Sequence, residues 1–83
     1  LVLVHHPQDA AEAQALARPG LRFAPGGATR EESVRAGLEA LAGDPPDAVL
    51  IHDGARPCVT PGLIRRVAGA LSRHEGAAPA LPL

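Results

Sequence analysis

The chain lacks the features that commit a small protein to a membrane, a nucleic acid or an oxidising compartment. Cys58 is its one cysteine, so no internal disulfide can form and a reducing compartment, the cytoplasm, is the natural setting. Eight Lys and Arg against nine Asp and Glu leave a formal charge of -1. No basic field is present to hold a nucleic acid polymer or an anionic membrane surface. No apolar run approaches the roughly 18 residues of a membrane span. The opening Leu1-Val2-Leu3-Val4 has neither an initiator Met nor a basic flank, so it does not read as a signal peptide. It reads as a strand entered midway, and Ala80-Leu81-Pro82-Leu83 likewise stops inside an apolar segment. Both ends point to an internal piece of a longer protein. Internal repeats and low-complexity tails are absent, and 83 residues suffice for one small domain with a small core.

What is present alternates. Leu1 to Val4 is a continuous apolar run suited to a buried strand, and the Ala-rich stretch opened by Gln8 and Asp9 predicts a helix to Ala17 with Asp9 as its cap. Arg18-Pro19-Gly20 stops that helix, and Leu21 to Ala24 predicts a short strand. After Pro25-Gly26-Gly27, Thr29 followed by Glu32 is a capping box. Val34, Leu38 and Leu41 then share one face of a helix that Gly43 ends. Asp44-Pro45-Pro46-Asp47 is a rigid turn into Val49-Leu50-Ile51, an unbroken apolar run that predicts a central parallel strand covered on both faces. Thr60 and Pro61 read as N-cap and first position of a last helix, with Ile64, Val67, Ala68 and Leu71 on its buried face and Gly76 at its close. Ala77 to Leu83 predicts an edge or irregular strand, because it carries two prolines. Strand, helix, strand, helix, strand, helix, strand implies a mostly parallel sheet with helices on its faces.

Two stretches carry candidate chemistry. The run Ala48 to Pro57 turns abruptly from apolar residues to His52-Asp53-Gly54-Ala55-Arg56-Pro57. Ligands of open α/β sheets collect outside the carboxyl ends of the strands, where Asp53 can face a ribose or a magnesium ion and Arg56 can grip a phosphate bidentately. Gly54 lets a ligand approach the backbone, and Pro57 fixes the exit. The competing reading is a local Asp53–Arg56 ion pair that only holds a loop. Gly26-Gly27-Ala28-Thr29 leads into a helix N-terminus with Ser33 one turn in, which suits the base, sugar or phosphate edge of a nucleotide. Its competing reading is an ordinary turn and cap, and Thr29 and Glu32 are caps on either reading. His52 is read as structural, its side chain opposite to that of Asp53. His5, His6 and Asp9 have poor spacing for zinc. His74 suits a helix C-terminus, Cys58 reads as a small buried residue, and Arg65 and Arg66 as part of a solvated helix face.

Gly26-Gly27-Ala28-Thr29-Arg30-Glu31-Glu32-Ser33-Val34 followed by Val49-Leu50-Ile51-His52-Asp53-Gly54-Ala55-Arg56-Pro57 resembles the 2-C-methyl-D-erythritol 4-phosphate cytidylyltransferases. Ala77 to Leu83 resembles the strand that follows in them, and the resemblance spans nearly the whole chain. It implies a three-layer α/β fold with a doubly wound, mostly parallel sheet of the nucleotide-diphospho-sugar transferase (Rossmann-like) type, incomplete here. Residues 1–83 would be the central part of a single cytidylyltransferase domain. Members are homodimers that join CTP to methylerythritol phosphate in non-mevalonate isoprenoid synthesis, release pyrophosphate and use magnesium. The resemblance places Gly27, Ala28 and Ser33 against the cytidine portion, and Asp53 and Gly54 near its ribose and phosphate. Asp53 and Arg56 would also hold methylerythritol phosphate. Where Ala28 stands, the family often has Asp or another polar residue.

The family's Gly-rich loop with its Arg and Lys would precede Leu1, and its dimer arm and later basic residues would follow Leu83. Phosphoryl transfer depends on positive charge placed around the α-phosphate, so these residues alone are expected to be inactive. Two alternatives stand beside this reading: a ribitol-5-phosphate cytidylyltransferase, and a non-catalytic nucleotide-binding module. Within the first reading, the parent is either the single enzyme or its fusion to the cyclodiphosphate synthase of the same pathway.

Overall fold

A computed structural model describes residues 1–82, in two compact units, Leu1–Pro46 and Asp47–Leu83. Strand β1 covers Val2–His5 and strand β2 Arg22–Pro25; the two pair in parallel, with Val2 opposite Arg22 and His5 opposite Pro25. A parallel pair needs a crossover between its strands. Here it is a 3-10 turn over Pro7–Asp9 followed by helix α1, Ala10–Gln14, and a return through Arg18-Pro19-Gly20. Leu21 N–H donates to the Arg18 carbonyl at 3.1 Å across that return. Pro19 presets one corner of the turn, and Gly20 takes the left-handed conformation of the other (φ 82°) at no steric cost.

The crossover helix is shorter than its Ala content predicts and starts differently. Asp9 makes no side-chain cap; its N–H closes the 3-10 turn on the His6 carbonyl at 2.9 Å. The cap belongs to His6, whose Nδ1 accepts from Gln8 N–H at 3.1 Å, while Pro7 begins the turn. Leu16 and Ala17 bond back to Ala13 and Gln14 in tightened turns, so the helical stretch frays where helix length is too small to sustain itself.

Helix α2 covers Arg30–Leu41 and starts on the predicted capping box. It packs on both strands. At Gly37 the approach is close, since a Cβ there would stand 3.0 Å from Val4 Cγ2. Arg22 Nη1 donates to the Ala40 carbonyl at 3.1 Å, which ties the start of β2 to the end of α2. A cation there also suits the negative end of the helix dipole. The helix ends where expected, with Ala42 as its C-cap and Gly43 next in an ordinary conformation, the Ala42 and Asp44 amides donating to Glu39 and Leu41. Ala13 and Ala24 are the buried apolar residues among the described residues, with Val34 and Leu41 half-buried and Leu38 exposed.

In the second unit, helix α3 covers Pro61–Ala70, capped by Thr60, whose hydroxyl accepts from Leu63 N–H at 3.2 Å. Thr60 and Pro61 hold the places expected of them. The helix stops six residues before Gly76 in a tightened turn, where Ser72, Arg73 and His74 amides bond back to Gly69 and Ala70. His74 therefore follows the helix rather than ending it. Leu63, Val67, Ala70 and Leu71 are half-buried, whereas Ile64 and Ala68 are exposed.

Two predicted strands do not form. Val49-Leu50-Ile51 has no regular structure and stays exposed, and residues 77–82 are also irregular, Leu83 lying outside the described residues. Among the described residues β1 and β2 make up the one sheet. An apolar run becomes a strand only where a neighbouring backbone takes its N–H and C=O groups. Among the described residues the architecture is thus small and of the α/β class, with two parallel strands and three α-helices. Among the described residues no helix is long and apolar enough to cross a membrane.

Candidate functional site

Gly26 and Gly27 leave β2 at the carboxyl edge of the sheet. Gly26 N–H extends the ladder by one bond, donating to the His5 carbonyl at 2.7 Å. The chain then turns directly into the first turn of α2, which closes back on the loop. Thr29 Oγ1 accepts from Glu32 N–H at 3.2 Å. Glu32 Oε2 accepts from two loop amides, Ala28 at 2.7 Å and Thr29 at 3.3 Å. Ser33 Oγ accepts from Gly27 N–H at 3.2 Å and donates to the Thr29 carbonyl at 3.1 Å. A hydroxyl has two lone pairs, so Ser33 keeps one acceptor position after these bonds. Gly27, Ala28 and Ser33, the expected nucleotide residues of this unit, are brought into one local structure.

The glycines are needed for packing and not for an unusual backbone, since neither has a positive φ. A Cβ on Gly26 would stand 2.8 Å from Ser33 Oγ, and one on Gly27 would collide with the Glu32 side chain. The loop is pressed onto the helix that follows it. Thr29-x-x-Glu32 was a readable sequence signal for the cap, but the second amide held by Glu32 has no separate sequence signature.

The second candidate lies in the other unit. Asp53, Gly54, Ala55 and Arg56 form a turn closed by Arg56 N–H on the Asp53 carbonyl at 3.0 Å. Across it Arg56 Nε donates to Asp53 Oδ2 at 3.1 Å. The Arg56 side chain is 79% exposed and that of Asp53 38%. An ion pair this open to water contributes on the order of 0–1 kcal/mol to stability. The turn leaves an irregular segment rather than the predicted strand end. Gly54 has open space around it and an ordinary backbone, so packing does not require a glycine there.

His5 Nδ1 lies 2.8 Å from the His6 carbonyl and His6 Nδ1 takes the Gln8 amide, so both imidazoles are engaged with backbone. His52 is exposed and Cys58, expected to be buried, is exposed. It sits in an irregular stretch with no packed layer over it. Arg65 and Arg66 lie on an exposed part of α3. Among the described residues no three His, Cys, Asp or Glu side chains converge as a metal cage. Magnesium is commonly held by one or two carboxylates together with substrate phosphates. The residues present do not form such a site by themselves.

A parallel β-α-β crossover whose Gly-rich loop leaves the carboxyl edge for a capped helix places this chain among α/β proteins, in which ligands collect at that edge of open sheets. Comparison with known proteins narrows the class. The chain belongs to the 2-C-methyl-D-erythritol 4-phosphate cytidylyltransferase family, whose model matches residues 1–83. It is 54% identical over 85 residues to the 2-C-methyl-D-erythritol 4-phosphate cytidylyltransferase of Cereibacter sphaeroides (strain ATCC 17029), covering 99% of this chain and 38% of that protein. It is 49% identical over 83 residues to the bifunctional enzyme IspD/IspF of Paramagnetospirillum magneticum, covering 96% of this chain and 21% of that protein. Over 56 residues it is 64% identical to the bifunctional enzyme IspD/IspF of Nitrobacter winogradskyi, covering 68% and 14% respectively. The chain therefore spans about two fifths of the length of the first of these relatives and less of the others. No solved structure matches it.

Proposed function

We propose that these residues are the central part of a single cytidylyltransferase domain that transfers CMP from CTP to 2-C-methyl-D-erythritol 4-phosphate and releases pyrophosphate, in isoprenoid precursor synthesis. The observation that carries the reading is the family match along residues 1–83. The complete domain would have the three-layer, doubly wound sheet of nucleotide-diphospho-sugar transferases, with the apolar Val49-Leu50-Ile51 run as an inner strand. Its setting would be the cytoplasm and its assembly a homodimer.

On this reading the loop of Gly27 and Ala28, with Ser33, meets the cytidine portion of CTP. The loop already spends its amides on Ser33 and Glu32. A carboxylate beside it disfavours phosphate, so the neutral part of the nucleotide suits it better. Asp53 and Gly54 lie by the ribose and phosphate, and Asp53 and Arg56 hold methylerythritol phosphate. Arg56 is suited to that task because its guanidinium is exposed and its partner across the turn is a partly exposed carboxylate. Exchanging it for a phosphate oxygen costs little, and a guanidinium binds phosphate through paired N–H donors. Magnesium would arrive with the triphosphate, its charge offsetting that of the phosphate oxygens.

The test is pyrophosphate release by the complete protein containing these residues, with CTP and magnesium. Turnover is expected with methylerythritol phosphate and not with ribitol 5-phosphate. Turnover with ribitol 5-phosphate alone would transfer the protein to that related activity. Nucleotide binding without turnover of either alcohol would leave a binding module.

A further inference from the structure

Glu32 does more than cap a helix. A capping-box carboxylate reaches back to one amide, that of the N-cap residue. Here Glu32 Oε2 takes the Thr29 amide at 3.3 Å and, at a shorter 2.7 Å, the Ala28 amide one residue further out. The tighter bond therefore lies outside the helix, on the loop. Glu32 also fills the space beside the Gly27 Cα, where no side chain fits. Its carboxylate and its methylenes thus both lie against the Gly27–Ala28 segment. Thr29 holds Glu32 N–H through a separate oxygen, so the cap and the loop grip are distinct bonds.

We propose that Glu32 is a positioning residue: it fixes the Gly27–Ala28 segment and through it the affinity for the nucleotide, acting on CTP and not on the alcohol. This rests on the cytidylyltransferase reading above. An acceptor that is already in place when the nucleotide arrives spares the ordering of that loop on binding. Charge-assisted bonds of this kind are about twice as strong as neutral ones.

The experiment measures KM for CTP, KM for methylerythritol phosphate, kcat and thermal midpoint in the complete protein and three variants. Glu32→Ala is expected to raise KM for CTP about tenfold, the worth of roughly one charged hydrogen bond, with KM for the alcohol and kcat within about twofold of wild type. Glu32→Gln keeps an acceptor oxygen and is expected to recover most of the loss. Thr29→Ala removes the cap bond but leaves the loop grip, so it lowers the thermal midpoint without raising KM for CTP. If Glu32→Ala leaves KM for CTP unchanged, the inference fails. It fails equally if Thr29→Ala raises KM for CTP as much, because helix stability would then be the cause. A wild-type protein that does not turn over CTP removes the cytidylyltransferase reading first, whereas wild-type turnover with indifferent Glu32 variants removes only this inference.

Discussion

The two candidate loops are built in opposite ways. In the loop before α2, Gly27, Ala28 and Thr29 amides are each taken by a side chain from the next turn, and the glycines have no room for a Cβ. The turn Asp53 to Arg56 is closed by a backbone bond and by an ion pair whose Arg56 side chain is exposed, with open space at Gly54. The first loop is ordered without a ligand; the second holds the Arg56 guanidinium out in water. The difference suits the parts of a nucleotidyl transfer they are proposed to serve. A nucleotide base is recognised by shape and fixed hydrogen bonds, which a pre-set loop supplies. A phosphate is recognised by charge, which an exposed guanidinium supplies on a flexible stem.

Substitutions can break or sharpen that contrast. The largest effect is expected from Arg56→Ala in the complete protein. KM for methylerythritol phosphate should rise about ten- to a hundredfold, in line with a charged contact of ~1.5–3 kcal/mol. The thermal midpoint should hardly move, because the pair with Asp53 is exposed. An unchanged KM would take Arg56 out of the substrate site.

Asp53→Asn should impair CTP use or turnover, again without unfolding the protein. Normal kinetics with a large loss of thermal stability would reduce Asp53 to a loop tether. Gly27→Ala acts on the ordered loop, where the new Cβ meets Glu32. Overpacking of this kind costs about 1–3 kcal/mol, so chemical denaturation should detect it together with a weaker affinity for CTP. A neutral result would mean that the loop can move away from α2 at no cost.

Thr29→Ala removes an N-cap bond worth about 1 kcal/mol, visible as a lower thermal midpoint. The smallest effect is expected from Arg35→Ala. Its bond to Glu39 at 2.9 Å is an exposed pair four residues apart on α2, worth about 0.3–0.5 kcal/mol. A loss of several times that amount would show that Arg35 serves the loop as well as the helix face.

Local chemistry was legible wherever one residue dictates it to its neighbours. Thr29 with Glu32, and Thr60 with Pro61, place helix starts because the bonds involved close within three residues. Pro19-Gly20 places the return to β2 for the same reason. The Asp53–Arg56 pair is likewise three residues apart and could be anticipated. Helix ends were less legible. Gly43 does stand where α2 ends, just past the C-cap Ala42, but without a positive φ, whereas α3 stops six residues before Gly76 in a tightened turn. Asp9 was outcompeted as a cap by His6, whose ring reaches the Gln8 amide once Pro7 has bent the chain.

By itself the sequence determined the order of elements in Leu1–Pro46, the two helix caps and both motif loops, because these depend on residue preferences and hydrogen bonds that close within a few positions. Tertiary structure decided the rest. Val2–His5 became a strand because Arg22–Pro25 lies beside it to take its backbone groups, while the equally apolar Val49-Leu50-Ile51 remains irregular. Apolar composition makes burial favourable, but a ladder needs a second backbone at hydrogen-bond distance, and that is a property of the fold and not of the run.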